Sequence, residues 1–348
     1  MKKTTFSAPR TSTVKTLALL WFALIFLPVL LPNNYLIGIG VMFFINVMLI
    51  SSLNLIMGYC GQISLCHAGF FGLGAYTSGS MSANYGIDPL LGILAAIGLT
   101  AFSALIVAIP SLRLRGHYLA MATLGANAIL SVLFVELVSL TGGPNGMYGV
   151  APIEVGSFAF DNEISFYYLA GTVCFLLMLG MHNLIHSRVG RAMASVSSSE
   201  IGAASLGINA YRIKVTIFCI SAAVAGMAGA LYVHFTLFAS PESFSFSISV
   251  LLLVMVAVGG WGKYWGGLLG AVMFTVLPEL LRSIHDVELL VFGLAMILVL
   301  MFFPGGLASI GERLISRWQR ASKHANPNQQ GDNASSTDKK SSMERKHA

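Results

Sequence analysis

Charged residues are scarce in this sequence of 348 residues. They make up 10% of it, whereas a soluble domain usually carries about 25%. Hydrophobic residues account for 56%, and several apolar stretches approach the roughly 20 residues with which an α-helix crosses a bilayer. The composition therefore argues against a water-soluble domain and predicts an integral membrane protein.

The spacing that cysteine chemistry requires is also absent. The four cysteines lie in apolar surroundings and form no Cys-x-x-Cys pair: Cys60, Cys66, Cys174 and Cys219. We therefore predict neither disulfides nor a metal cluster. The thiols are expected to pack as small hydrophobic groups.

Two further motifs are incomplete. Tyr264 follows Gly262-Lys263 where a phosphate-binding loop needs Ser or Thr, so ATP binding by that motif is not expected. His182 and His186 stand one helical turn apart but lack the glutamate of a zinc-binding His-Glu-x-x-His motif. We also find no nucleophile with its base among the apolar segments, so we predict that the chain is not an enzyme and binds no cofactor or metal.

Apolar runs between polar, Gly or Pro residues predict an all-α, polytopic transmembrane bundle of about ten helices. The spans fall near residues 17–32, 36–57, 62–82, 90–109, 117–138, 164–186, 214–236, 247–262, 264–283 and 288–303. Glycines interrupt or border three of these runs, so eight spans is the alternative. The predicted regions are a basic N-terminus (1–16), a transmembrane domain (17–310) with an inner loop (187–213), and a polar, disordered tail (311–348).

Basic residues favour one orientation of this bundle, because Lys and Arg concentrate in cytoplasmic loops. With the N-terminus inside, the inner segments collect Arg113, Arg115, Arg188, Arg191, Arg212, Lys214, Lys263, Arg313, Arg317 and Arg320, and Arg282 alone lies near the outer face. We therefore expect a multi-pass protein of the cell membrane with both termini in the cytoplasm.

Five glycines fall within seventeen residues between Gly58 and Gly74. Irregular backbone at membrane depth is tolerated where protein or a water-filled cavity surrounds it, so a helix broken here is expected to line a solute path. The polar side chains nearest the break are Asn54, Gln62, Ser64 and His67. The alternative is that the glycines let helices approach closely while the polar groups bond across helix interfaces.

A second glycine-rich element at 259–271 is a weak hint of internal duplication, and Thr141–Gly146 is predicted to be an outer turn. The inner loop at 190–209 predicts a short helix that serines cap, with Glu200 near its positive end and Gly207 at its stop. Such a helix presents Ile201, Leu206 and Ile208 either to a partner or, equally, to the membrane surface.

Several motifs occur in a fixed order between about Val41 and Leu307. Ser52–Tyr76 contains Asn-Leu, Gly-x-x-Gly-Gln-x-Ser and His-Ala-x-Phe-x-x-x-Gly-Ala-Tyr. Arg113-x-Arg115-Gly116, Thr141-Gly142-Gly143, Gly190-Arg191-Ala192, Glu200-x-x-Ala203-Ala204, Gly207-Ile208-Asn209 and Phe303-Pro304-x-Gly306-Leu307 follow. In these motifs the chain resembles the inner-membrane permease family of ATP-binding-cassette importers for branched-chain amino acids.

The resemblance implies a bacterial inner-membrane subunit whose loop helix docks on a separate ATPase subunit, where ATP is hydrolysed. The coupling residues would be Glu200, Ala203, Ala204 and Gly207. A second homologous permease chain and a periplasmic binding protein are the other implied partners, and nucleic acid is not one. The chain departs from the family at 194–199, where Ala-Ser-Val-Ser-Ser-Ser replaces basic and acidic residues.

The implied solutes are leucine, isoleucine and valine. Related permeases serve urea, amides, nucleosides or sugars, and these remain the alternative. An ion-coupled secondary transporter is less favoured, because Glu136 and Glu279, the acidic residues nearest the spans, fall close to predicted outer ends and not at a relay position.

Overall fold

The computed structural model describes residues 33–114, 116–155, 158–281, 288–302 and 305–309, together with Trp21 and Pro28. The predicted first span at 17–32, the N-terminus and the tail lie outside these residues. Within them the protein is built of α-helices, as predicted, with four two-residue strands. The helices are α1 (Asn34–Asn54), α2 (His67–Tyr85), α3 (Pro89–Ser111), α4 (His117–Glu136), α5 (Val138–Thr141), α6 (Glu163–His186), α7 (Arg188–Ser198), α8 (Glu200–Ser205), α9 (Ala210–Thr236), α10 (Phe246–Gly259), α11 (Gly266–Leu281) and α12 (Glu288–Phe302).

Five helical stretches in the described part are long and apolar enough to cross a bilayer. They are Asn34–Tyr59, Pro89–Ser111, His117–Glu136, Glu163–His186 and Ala210–Thr236. The fold is therefore that of a multi-pass helical membrane protein. The total of ten spans stays a prediction, since α10 and α11 are shorter and the first span is not described.

Two helices are broken where the sequence is rich in glycine. Helix α1 continues into a π-helical turn at Leu55–Tyr59, and residues 60–66 are non-helical before α2 begins. The span predicted from residue 62 therefore starts at His67. Residues 260–265 are non-helical in the same way and separate α10 from α11. A single π turn inside a helix is a frequent companion of functional sites.

Close helix contacts elsewhere also rely on glycine. Gly74 of α2 lies against the backbone of Gly226 in α9, and Gly92 of α3 lies against Ser78 of α2. Helices α2, α3 and α9 are thus held together by small residues, as is common in membrane bundles. At these contacts the glycines let the helices approach closely, which was the alternative interpretation of the glycine-rich sequence. This holds whatever the function of the break between α1 and α2.

The strands lie at the end of α9 that is remote from α8. Strand β1 (Met147–Tyr148) pairs antiparallel with β4 (Phe238–Ala239), and β2 (Glu154–Val155) pairs with β3 (Phe158–Ala159). The turn predicted at residues 141–146 is present as the end of α5 and a 3-10 turn, Gly143–Asn145.

Candidate functional site

Three glycine-containing segments meet at the end of the bundle that carries α7 and α8. They are residues 55–61, 259–265 and 305–309, which we call the glycine junction. Gly58 packs directly on the backbone of Gly262, with no room for a side chain between them. Gly306 lies on the backbone of Gly260, and the Leu307 N–H donates to the Val258 carbonyl at 2.8 Å. The two glycine-rich elements of the sequence thus face each other in space.

Asn54 links the two breaks. Its Oδ1 accepts a hydrogen bond from the Gly262 N–H, and its Nδ2 donates to the Lys263 carbonyl, both at 2.9 Å. A buried backbone break needs such partners, because lipid supplies none. The Asn54 side chain, 3% exposed, thus satisfies one donor and one acceptor of the non-helical residues that follow α10.

His67 and Ser64 are both buried at the start of α2. His67 Nε2 lies 2.7 Å from Ser52 Oγ of α1, and Ser221 Oγ of α9 donates to the Ser52 carbonyl at 2.5 Å. Gln62 is partly exposed, and its N–H donates to the Ile56 carbonyl at 3.1 Å. The predicted path residues are therefore close in the chain, but Asn54 faces α10–α11 while His67 faces α1.

Backbone N–H groups just before α2 and in its first turn donate to side chains from two other helices. The Leu65 N–H donates to Thr123 Oγ1 at 3.1 Å, and the Gly69 N–H donates to Asn127 Oδ1 at 2.8 Å, both acceptors being on α4. Ser249 of α10 accepts from the Ala68 N–H at 3.0 Å. Sequence analysis missed these caps, although Thr123 and Asn127 are polar residues one turn apart in an apolar span.

The predicted loop helix is present as two helices, α7 and α8, that meet at Ser199. Ser199 Oγ caps α8 by accepting from the Gly202 N–H at 3.1 Å. Gly207 follows the helix with φ +75°, a conformation that suits glycine at a helix stop. The predicted start and stop of this segment therefore agree with its geometry.

Helix α8 is attached to the bundle by an ion pair and by one buried side chain. Lys214 of α9, 5% exposed, donates to Glu200 at 2.5 Å. Ala203 is buried and Ala204 is exposed. The side chains of Ile201 and Leu206 are 79% and 75% exposed, so α8 presents apolar surface away from the bundle.

Helix α7 connects this segment to the glycine junction. Met193 and Val196 are buried on its inner face. Gly61, with φ +68°, lies against Ser197, whose hydroxyl would be 3.2 Å from a Cβ at that position. Helix α7 is therefore in direct contact with the break between α1 and α2.

The described residues include no group of three His, Cys, Asp or Glu side chains placed to hold a metal ion. The four cysteines are free, and three of them are buried. The described bundle is that of a multi-pass helical membrane protein, and broken helices of this kind are typical of membrane transporters.

Comparison with known proteins identifies the family. A family model described as branched-chain amino acid transport system, permease component, matches residues 35–300. The high-affinity branched-chain amino acid transport system permease protein LivM of Salmonella typhimurium LT2 is 34% identical over 299 residues, which cover 78% of this chain and 69% of that protein. LivM of Escherichia coli K12 matches to the same extent.

The permease protein LivH of Salmonella typhimurium LT2, also named for branched-chain amino acid transport, is 27% identical over 275 residues, covering 73% of this chain and 87% of that protein. No solved structure gives a significant match. This chain belongs to the family of branched-chain amino acid transport system permease components, as its motifs indicated.

Proposed function

We propose that this chain is the permease subunit of an ATP-driven importer and forms part of the transmembrane path for leucine, isoleucine and valine. The observation that carries the proposal is its 34% identity to LivM, a permease protein of high-affinity branched-chain amino acid transport, over 78% of the chain. The apolar bundle with two broken helices supports the same function, since transporters place irregular backbone where a polar solute passes.

The proposed partners are cytoplasmic ATPase subunits, a second homologous permease and a periplasmic binding protein. A paired permease is supported by the match of this chain to both LivM and LivH of one organism. ATP is hydrolysed on the ATPase subunits, and this chain binds no cofactor itself. The proposed location is the bacterial inner membrane, with ten spans, both termini in the cytoplasm and α7–α8 on the cytoplasmic side.

Glu200, Ala203, Ala204 and Gly207 are the proposed coupling residues. Their segment exposes Ile201 and Leu206 for contact with an ATPase subunit. It is tied to α9 through Lys214 and, through α7, to Gly61 of the glycine junction. ATPase closure would thus be transmitted to both broken helices, since Asn54 joins one to the other.

Gln62, Ser64 and His67 remain the proposed lining of the path at the break in α1–α2. We propose that Asn54 positions the path residues and does not contact the solute. Its Oδ1 and Nδ2 already bond to the backbone of the break between α10 and α11. The positions of these four residues support two functions for the break between α1 and α2: a hinge at the glycine junction and a lining of the solute path.

The function is tested by uptake of labelled leucine in cells that lack this chain, with and without the chain restored. We expect restored uptake that depends on ATP and is blocked by unlabelled isoleucine and valine. Competition by urea or ribose but not by isoleucine would instead assign the chain to another solute. Uptake that survives ATP depletion but stops with an ion uncoupler would overturn the importer assignment.

The coupling segment is tested by two changes at Gly207. Proline fixes φ near −65° and is incompatible with the observed φ of +75°, so Gly207→Pro should abolish uptake while the chain still inserts in the membrane. Asparagine tolerates the left-handed region, so Gly207→Asn should retain most of the uptake. Glu200→Ala should also abolish uptake, and normal uptake in both Gly207→Pro and Glu200→Ala would exclude the coupling role.

A further inference from the structure

Lys214 is a cationic side chain buried at the start of the second turn of α9, a helix long enough to span the membrane. The residue is 5% exposed, and its Nζ donates to Glu200 Oε1 at 2.5 Å. Within the described part of the chain, Glu200 is its ion-pair partner. Charged groups in membrane helices are costly, and those that are retained usually have a partner and a function. Lys214 is therefore a candidate for a function in the transport cycle.

The ion pair closes the hairpin that α8 forms with α9. Helix α8 has six residues, too few for a helix to be stable without other contacts. At its C-terminal end the Ile208 N–H donates to the Ala203 carbonyl at 3.0 Å, which fixes the turn into α9. At its N-terminal end the side chain of Glu200 bonds to Lys214. Without the ion pair, α8 would be joined to α9 at its C-terminal end alone.

The ion pair also fixes which side of α8 faces away from the bundle. Ala203, one turn after Glu200, is 1% exposed, so this side of the helix lies against the bundle. The side chains of Ile201 and Leu206 are 79% and 75% exposed. Because the Glu200 carboxylate is already bound to a residue of this chain, the contact with a partner is left to apolar side chains.

Helix α9 connects the ion pair to the glycine junction. It contacts the π-helical turn Leu55–Tyr59 at the end of α1. Ser221, seven residues after Lys214 on α9, donates through Oγ to the Ser52 carbonyl of α1 at 2.5 Å. The described contacts thus join α8, through Lys214 and α9, to the helix that ends at the break.

We propose that Lys214 is a positioning residue for coupling: it holds Glu200 so that α8 presents Ile201 and Leu206 to the ATPase subunit. Glu200 then acts inward, on Lys214, and does not contact the ATPase, whose matching surface is an apolar cleft. This inference rests on the proposed coupling function and separates the residues that position the segment from those that touch the partner. If Glu200 contacted the ATPase instead, Lys214 would affect folding alone.

Exchanging the two charges separates an inward from an outward action of Glu200. Glu200→Lys and Lys214→Glu, each alone, bring two like charges together. We expect leucine uptake to fall at least about tenfold in each, the effect of losing one hydrogen bond between charged groups. The double variant restores the ion pair in reverse and should regain most of the uptake. An ammonium cannot replace a carboxylate that docks on the ATPase, so uptake as low in the double variant as in the single ones, at normal amounts of folded chain, would overturn the proposal.

Two further variants test the lysine while Glu200 stays unaltered. Lys214→Met keeps the length of the side chain without its charge, and Lys214→Arg keeps a donor for the carboxylate. In vesicles that contain the whole transporter, we expect the ATP hydrolysed per leucine imported to rise in Lys214→Met and to stay normal in Lys214→Arg. A merely structural residue would change the amount of transporter and not this ratio. A normal ratio in Lys214→Met would overturn the positioning role, and the charge exchange decides if this variant does not assemble.

Ile201→Ser tests the apolar contact. Since Ile201 is exposed in this chain, its loss should leave thermal unfolding in detergent unchanged. Uptake should fall about tenfold, because an apolar side chain that the ATPase buries would be lost. Ser198→Ala, exposed on the neighbouring helix α7, is the control and should be neutral in both measurements. Normal uptake in Ile201→Ser would overturn the apolar docking surface.

The proposed function and this inference fail in different ways. If the unaltered chain takes up another solute and not leucine, the proposed substrate is wrong, and the same variants are measured with the solute that is transported. If the unaltered chain imports leucine at the expense of ATP and Lys214→Met does so equally well, the proposed function stands and Lys214 has no part in coupling.

Discussion

Helix α2 approaches α9 and α4 through glycine in both cases, but glycine meets different atoms in the two contacts. Towards α9, Gly74 lies on the backbone of Gly226, and Gly229 of α9 lies on the Phe71 carbonyl. Towards α4, Gly69 and Gly72 lie on side chains. A main-chain contact cannot adjust without moving a whole helix, whereas a side-chain contact can repack.

The two helices that contact α2 also differ in how much of their own surface is buried. Helix α9 has 14 of its 27 residues buried, and α4 has four of 20. The α2–α9 contact is therefore expected to persist through a transport cycle, while the α2–α4 contact is the one that can open. The same residue type thus makes main-chain contacts on one face of α2 and side-chain contacts on the other.

Gly229→Ala should have the largest effect on stability. The added Cβ would overlap the Phe71 carbonyl oxygen and crowd the Ala75 nitrogen, both main-chain atoms. We expect a loss of at least about 3 kcal/mol in the free energy of unfolding, at the upper end of overpacking effects. Thermal unfolding of the purified protein in detergent measures it. Gly98→Ala, at a helical glycine with no neighbour within 4 Å, is the control and should be neutral or slightly stabilising.

Gly72→Ala should have a smaller effect on stability. Its Cβ would come to 2.7 Å from the side chains of Phe134 and Phe244, which can shift with α4. We expect a loss of about 1–2 kcal/mol in the same unfolding assay. Gly125→Ala on the open side of α4 should show no loss. A loss as large as that of Gly229→Ala would contradict the view that the α2–α4 contact is the more adaptable one.

Local signals predicted local features of this molecule well. Ser199, Glu200 and Gly207 lie within nine residues, and the start and stop of α8 follow from their capping chemistry alone. The break before α2 followed from glycine density. The two-residue strand pair β1–β4 was missed, because so short a strand carries no alternation to detect.

Long-range partners could not be predicted from the sequence. Asn54 accepts from Gly262 and donates to Lys263, both more than 200 positions away along the chain, and a single asparagine in a sequence does not indicate such partners. The side chains that cap α2 come from α4 and α10, and the sequence did not indicate these partners either. Sequence patterns predicted which segments are broken, whereas packing between distant segments decides which groups satisfy the broken backbone.

Ser249→Ala should have the smallest effect of the three. The Ser249 hydroxyl accepts from the Ala68 N–H at 3.0 Å, so its removal leaves one buried donor of α2 without a partner. We expect a loss of about 1 kcal/mol, typical of an N-terminal cap, with an unchanged KM for leucine. Ser247→Ala, exposed on the same helix, should be neutral in both measurements. A raised KM with unchanged stability would mean that Ser249 also contacts the solute at the start of α2.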